Sequence, residues 1–444
     1  MSSVLRILRT IFYKLGFAAL TFINTYLVTR YLTVSDKGIY STITTSLLLG
    51  STYMAGYSAF FNYGLNRLKL DRPRVVGALA RFYLLVMAAV AGLLALVLIL
   101  NAATLDTLFV YGAFVLAAMP FVVLFGFCSR LLQALNEIDW LNRLNMLQGT
   151  IFFILATAIL LTDHYHPAGI RPHLLVITLG AWLVSNLLAA AVIVRVVRRL
   201  AAVSLRPAKD TAVAREMFRY GRNISLQNVL TQFNLRGDFY SVLLLQGAHA
   251  TGLYSIAVTA SEILWQVSSS IALIVYTRVA HRDRADSTEL TERTFRFTFW
   301  LMVACAIILF AVFSPLIHII FTDRYAASVP PFQILLAGTT AYGTVGVLTQ
   351  FFTDQLGKVR YPMYMQGASF ATNVLLCVLL IPHMGISGAA FASSTAYGLS
   401  LLLSLLYFRR HTGRRLRSLF FFCADDLAFL RNLGLRRRIH EGGK

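Results

Sequence analysis

The residues with chemical potential in this chain are charges set inside apolar sequence. Between Tyr220 and Thr277, two long apolar runs carry Arg236, Asp238 and Glu262 near their middles, and Lys14 lies inside a third run near the start. A charge at bilayer depth costs about 2.5 kcal/mol or more on insertion scales, so it is placed where it faces protein or water. A guanidinium or ammonium fixed there can hold a phosphate. A carboxylate there can carry a proton or a cation. Each has a plainer alternative: Arg236 can pair with a neighbouring helix, Glu262 can be the buried partner of a basic residue, and Lys14 can snorkel to the surface.

Neutral polar residues extend these sites along helical faces. At 100° per residue, Asn223, Gln227, Thr231, Asn234, Asp238 and Ser241 fall within about 40° of one line. Ser255, Thr259, Glu262, Gln266 and Ser269 do the same in the next run, as do Ser41, Thr45 and Thr52, and Thr10, Lys14, Thr21 and Thr25, in the first two. The candidate substrate-binding residues lining a cavity are therefore Lys14, Asn24, Thr45, Gln227, Thr231, Asn234, Arg236 and Gln266. The candidate ion-coupling residues are Asp238 and Glu262. The competing reading of such stripes is interhelical hydrogen bonding between small polar side chains. Arg236 lies about 200° around the helix from Asp238, so both cannot face one cavity.

The elements that must position these groups are membrane helices. The chain has 444 residues, of which 57% are hydrophobic and only 13% charged; soluble domains carry about 25% charged residues. Hydropathy predicts an all-α integral membrane protein with twelve spans near 7–31, 39–65, 77–100, 107–134, 141–162, 174–199, 220–246, 252–278, 295–321, 331–356, 361–382 and 386–408. The net charge of +21 sits in the short segments between spans, which argues against a nucleic-acid role. Lys and Arg crowd one side of the membrane, placing both termini in the cytoplasm. The basic tail from Arg409, with Phe420-Phe421-Phe422, suits either a helix on an anionic leaflet or a solvated segment. No cofactor is expected. The cysteines are isolated, no metal-ligand spacing is present, and no GxxxxGK[ST] stretch occurs. The three histidines in 162–173 read as a solvated turn.

The chain repeats itself. Ser35-Asp36-Lys37-Gly38-Ile39-Tyr40-Ser41 returns as His249-Ala250-Thr251-Gly252-Leu253-Tyr254-Ser255, an offset of 214, and Gln148-Gly149 returns as Gln366-Gly367, an offset of 218. The 214 offset also aligns Asn24 with Asp238. These echoes divide the protein into an N-terminal six-helix half (1–199), a basic cytoplasmic linker (200–219), a C-terminal six-helix half (220–408) and a basic tail (409–444). Six is even, so the halves share an orientation and surround a central cavity, as in many secondary transporters.

These residues also carry a family resemblance. Asn234-Leu235-Arg236-x-Asp238 followed by Gly252-Leu253-Tyr254-Ser255 resembles Wzx-type oligosaccharide flippases of the polysaccharide-biosynthesis family, as does Arg30-Tyr31-Leu32 with Gly38-Ile39-Tyr40-Ser41. So do Phe321-Thr322-Asp323-Arg324-Tyr325 with Pro331, and Asn373 with Leu380-Ile381-Pro382-x-x-Gly385-Ile386-x-Gly388. One departure is Tyr276-Thr277-Arg278, where the family often has a proline before the basic residue. The resemblance implies membership of the multidrug/oligosaccharidyl-lipid/polysaccharide exporter superfamily. It implies a bacterial inner-membrane flippase, not an enzyme, which moves polyprenyl-pyrophosphate-linked repeat units, such as undecaprenyl-linked ones, for lipopolysaccharide or exopolysaccharide synthesis. A polymerase and a co-polymerase are the partners it implies. The alternatives are a multidrug or cation antiporter of the same superfamily, and a membrane enzyme acting on lipid-linked glycans.

Overall fold

In a lipid interior every backbone N–H and C=O must be satisfied within the segment, so long apolar runs become helices. The computed structural model describes residues 3–100, 106–201, 206–265, 268, 284–321, 323–356, 358 and 360–421, and among these every element is helical. Candidate residue Gln266, the inner part of the eighth predicted span and the tail beyond 421 lie outside the described residues.

The helices are α1 (Ser3–Tyr31), α2 (Val34–Ser58), α3 (Arg72–Leu100), α4 (Asp106–Ala134), α5 (Ile138–Tyr165) and α6 (Leu174–Ala201). One continuous stretch, Thr211–Ser261, follows and is broken at Gly247 (φ 79°) into α7 (211–246) and α8 (from 248). Then come α9 (Arg284–Ile320) and α10 (Val329–Gln350). A second long stretch, Arg360–Thr412, breaks at Gly385 (φ 59°) into α11 (360–384) and α12 (386–412). Eight described stretches are long and apolar enough to cross a membrane. Two of these contain a break, and with α1 and α2 they make up the twelve predicted spans. Both breaks adopt a left-handed backbone that favours glycine. Neither site is crowded: a Cβ on Gly247 would meet nothing within 4 Å.

Within the segment 200–219, read from sequence as a linker, residues 200–201 close one helix and residues 211–219 open the next. α6 runs on to Ala201, and α7 begins at Thr211, well before Tyr220. The cause is a cap: Asp210 accepts the Val213 N–H at 3.0 Å, and the Arg74 guanidinium binds the same carboxylate at 2.8 Å. At the opposite end of the bundle Thr33 caps α2, accepting the Asp36 N–H at 3.1 Å and donating to the Asp36 carboxylate at 2.7 Å. α2 is prolonged by a three-residue helix, Phe60–Asn62, and a π-turn, Tyr63–Arg67. A short helix α13 (Arg417–Phe420) returns onto α9, where Trp300 donates to the Phe420 carbonyl at 2.8 Å.

Each half packs in the same way. In the first, α1 lies on α5, α2 on α4, and α6 on both α4 and α5; in the second, the α7–α8 pair lies on α11–α12 and α10, and α9 lies on α10. The halves meet along α2 and α7, which run antiparallel in contact. Gly56 lies against Ser225, Ser225 Oγ donates to the Tyr53 carbonyl at 2.9 Å, and Ser46 and Tyr240 share a 2.9 Å hydrogen bond. At the end carrying the α1–α2 and α7–α8 turns, a Cβ on Gly38 would overlap the Ala248 carbonyl, and one on Gly252 would overlap the Val34 carbonyl. The two copies of the repeated glycine motif thus press against each other. Nearby, Phe22 of α1 sits edge-on to Phe321 with ring centroids 5.7 Å apart.

Candidate functional site

Asn234 and Asp238 are one turn apart on α7 and so share a face. That face turns into the second half rather than into open space. Asp238 is 2% exposed and Asn234 fully buried. Asp238 accepts from the Tyr254 hydroxyl of α8, from Ser393 Oγ of α12 at 2.6 Å and from the adjacent Phe239 N–H at 2.7 Å. Asn373 of α11 donates to Ser393 at 3.2 Å and to the Asn234 carbonyl at 3.3 Å. The Asn234 side chain donates to Gln366 at 2.9 Å and accepts from Ser369 at 3.0 Å, and Gln366 in turn donates to the Tyr342 hydroxyl at 2.9 Å. A buried carboxylate is tolerable because donors from three helices surround it.

Arg236 leaves α7 in a different direction. Its Nη1 and Nη2 reach Glu262 Oε1 and Oε2 at 2.6 and 3.1 Å, a two-pronged ion pair between α7 and α8. The two side chains keep 17% and 22% of their surface accessible. Arg236 lies one turn before Tyr240, the residue that reaches across to Ser46 of α2. The pair therefore sits on the part of α7 closest to the other half. The Arg236 Nε is buried and has no partner among the described residues. An aromatic group flanks the α8 side, with Trp265 5.7 Å from Tyr342 and Tyr342 4.8 Å from Tyr397.

The other candidates are spread more widely. Lys14 is half-buried on α1 and makes no ion pair or hydrogen bond with a described residue. Asn24 is buried; its Nδ2 donates to the Gly149 carbonyl of α5 at 3.0 Å and its Oδ1 has no partner. Thr45 and Gln227 are half-buried, and the Thr231 hydroxyl is spent on the Gln227 carbonyl one turn back at 2.9 Å. Ser255 and Thr259 likewise bond to carbonyls of their own helix. The structure thus joins Arg236 to Glu262 and Asn234 to the Asp238 cluster, and it leaves Lys14 and Asn24 apart from both.

Several partners were not singled out from sequence as site residues: Tyr254, Ser369, Asn373 and Ser393 around Asp238, and Lys37 on α2. Lys37 is 5% exposed, with its ammonium donating to Ser41 at 3.0 Å and standing 5.1 Å from the Tyr40 ring centre. Tyr254 and Lys37 lie within the repeated motif, a signal available from the start. Ser393 lies in a run of small residues that carries no such signal.

Residues 27–330 match the family described as "Polysaccharide biosynthesis protein". The chain belongs to that family. No curated protein sequence matches it. Among solved structures, this polysaccharide biosynthesis protein is similar to a lipid II flippase, MurJ, in an inward closed conformation: TM-score 0.74, 13% identity, 90% of this chain and 87% of that one. It is also similar to multidrug resistance transporters of the MATE family within the MOP superfamily. For the inward-facing form the TM-score is 0.68 at 10% identity, covering 92% of this chain and 98% of that one. For the outward-facing form it is 0.65 at 11% identity, covering 93% and 96%. The protein is therefore a multi-pass membrane protein of polysaccharide biosynthesis, built on a fold that it shares with transporters and flippases.

Proposed function

We propose that this protein flips polyprenyl-pyrophosphate-linked oligosaccharide units across the bacterial inner membrane, with both termini cytoplasmic, by alternating access between its two halves. The observation that carries this reading is Arg236, whose side chain keeps 17% of its surface accessible and pairs with Glu262 beside the seam between halves, in a chain of this family. A pyrophosphate needs a fixed cation in a water-accessible place, and a planar guanidinium can meet two of its oxygens at once. Substrate phosphate would compete with Glu262 for Arg236, and Lys14 on α1, apart from that pair in this structure, supplies a second positive charge. Release of Glu262 gives it the role of the ion-coupling carboxylate. Asp238 is the second ion-coupling candidate, held by its own donors until they part. The likeness to a protein named as a lipid II flippase supports the same class of lipid-linked cargo. A polymerase and a co-polymerase acting on the flipped unit are the partners this reading calls for.

The test is mass spectrometry of polyprenyl-linked lipids from cells with and without the protein, repeat-unit synthesis being intact. Accumulation of a pyrophosphate-linked oligosaccharide in its absence, restored by the wild type and not by Arg236→Gln, is the expected result. Unchanged lipid intermediates with a rise only in sensitivity to cationic toxins would replace this reading with an antiporter.

A further inference from the structure

The two halves treat equivalent positions differently. In the second half, Asp238 is satisfied by Tyr254, and Gln366 is engaged with Asn234 and Tyr342. Their counterparts in the first half, by the repeat offsets, are Asn24, Tyr40 and Gln148. These three do not close on one another. They line a cleft of about 190 Å³ between α1, α2, α5 and α6, together with Thr21, Phe152 and Trp182. A single water needs only about 15 Å³ on the same measure. Gln148 Nε2 is directed to Asn186 at 3.1 Å, and Tyr40 stacks on Phe152, the planes 9° apart.

One atom beside this cleft lacks a partner among the described residues. The Asn24 amide is fixed by its bond to the Gly149 carbonyl, which leaves Oδ1 buried and unpartnered. Buried side-chain oxygens are nearly always hydrogen-bonded, so this covered oxygen would be satisfied if a small turn of the Asn24 side chain brought it to a cleft occupant carrying its own O–H or N–H. Among the described residues no charged side chain lines the cleft. A pyrophosphate would find no cation there and a cationic drug no carboxylate. What fits is a neutral, compact, hydroxyl-rich ring, with O–H groups for Asn24 and the amide of Gln148, and C–H faces to lay on Trp182 and Phe152.

We propose that this cleft is a subsite for one sugar ring of the cargo, and that the second half has lost the equivalent subsite by filling it with its own Tyr254–Asp238 contact. The assignment deepens the flippase reading and rests on it for the source of the sugar. It separates the two ends of the cargo: glycan on the first half, pyrophosphate on Arg236 at the seam.

The experiment is saturation-transfer NMR on the full-length protein in detergent, using methyl glycosides of glucose, galactose, mannose, rhamnose and N-acetylglucosamine, with mannitol as an acyclic control. Wild type and Leu244→Ala, which alters an 83% exposed side chain, should transfer saturation to at least one glycoside and not to mannitol. Asn24→Leu and Trp182→Leu should each weaken that contact about tenfold, as expected for one lost interaction worth a decade in affinity. Gln148→Leu serves if either variant fails to give a monodisperse, cooperatively melting protein. Absence of transfer to every glycoside, or equal transfer with the cleft variants, overturns the subsite. Trans-bilayer movement of lipid-linked oligosaccharide in vesicles is read separately: its failure in wild type would remove the flippase reading, whereas its persistence in Asn24→Leu would remove only the subsite.

Discussion

At the residue scale, the Arg236–Glu262 pair and the Asp238 cluster behave differently. Breaking a largely buried ion pair strands a charge, whereas removing both partners does not. Arg236→Gln and Glu262→Gln should each lower the unfolding free energy in detergent by about 3 kcal/mol, and the double variant by clearly less than their sum. Additive losses would mean that the pair contributes no mutual stabilisation. Asp210 gives a pH prediction outside the membrane. The Arg74 guanidinium first, and the Val213 N–H next, hold its carboxyl below the usual carboxylate value. A depressed pKa contributes stability above the ordinary value of about 4, and that contribution is lost as pH falls through the lowered one. Asp210→Asn should therefore flatten the acid side of a melting-temperature profile while leaving its neutral-to-basic limb parallel to wild type.

At the element scale, the predicted spans and the observed helices agree because hydrophobic length fixes a membrane helix with little help from tertiary contact. What the pattern could not carry was direction. Asn234 and Asp238 share a face, as their spacing demands, yet a helical wheel does not say which neighbour covers that face. Here it is α8, α11 and α12. The opposite placement of Arg236 was readable from its 200° phase. Helix ends set by a polar cap, as at Asp210, escaped a hydropathy reading that sees only apolar length. The two breaks make a matched test. Gly247→Ala and Gly385→Ala must adopt a backbone almost closed to other residues and should each cost about 1–3 kcal/mol. Gly367→Ala lies in α11 with open space around it and should be neutral or stabilising by up to ~1 kcal/mol in the same melts.

At the scale of the whole molecule, the bundle is held shut at the end carrying the α1–α2 and α7–α8 turns, the periplasmic face in the proposed orientation. Phe22 on Phe321 closes one side, and the Gly38–Ala248 and Gly252–Val34 contacts close the seam. Alternating access requires that these contacts part. In a chain with its native cysteines replaced, Phe22→Cys and Phe321→Cys joined by a short bis-maleimide should abolish transport, while either single variant treated alike should retain it. Full transport by the bridged protein would show that the halves need not separate there.

The meeting of the two motif copies has one further consequence. Position 38 touches 248 and position 252 touches 34, and each pair maps onto the other under the 214-residue offset. That is the reciprocity of an isologous contact, the kind formed by two identical subunits about a dyad. The connection between α6 and α7 then joins two self-recognising bodies. A gene cut there should yield two fragments that find each other in the membrane and rebuild the working protein, as an ancestral homodimer would have done.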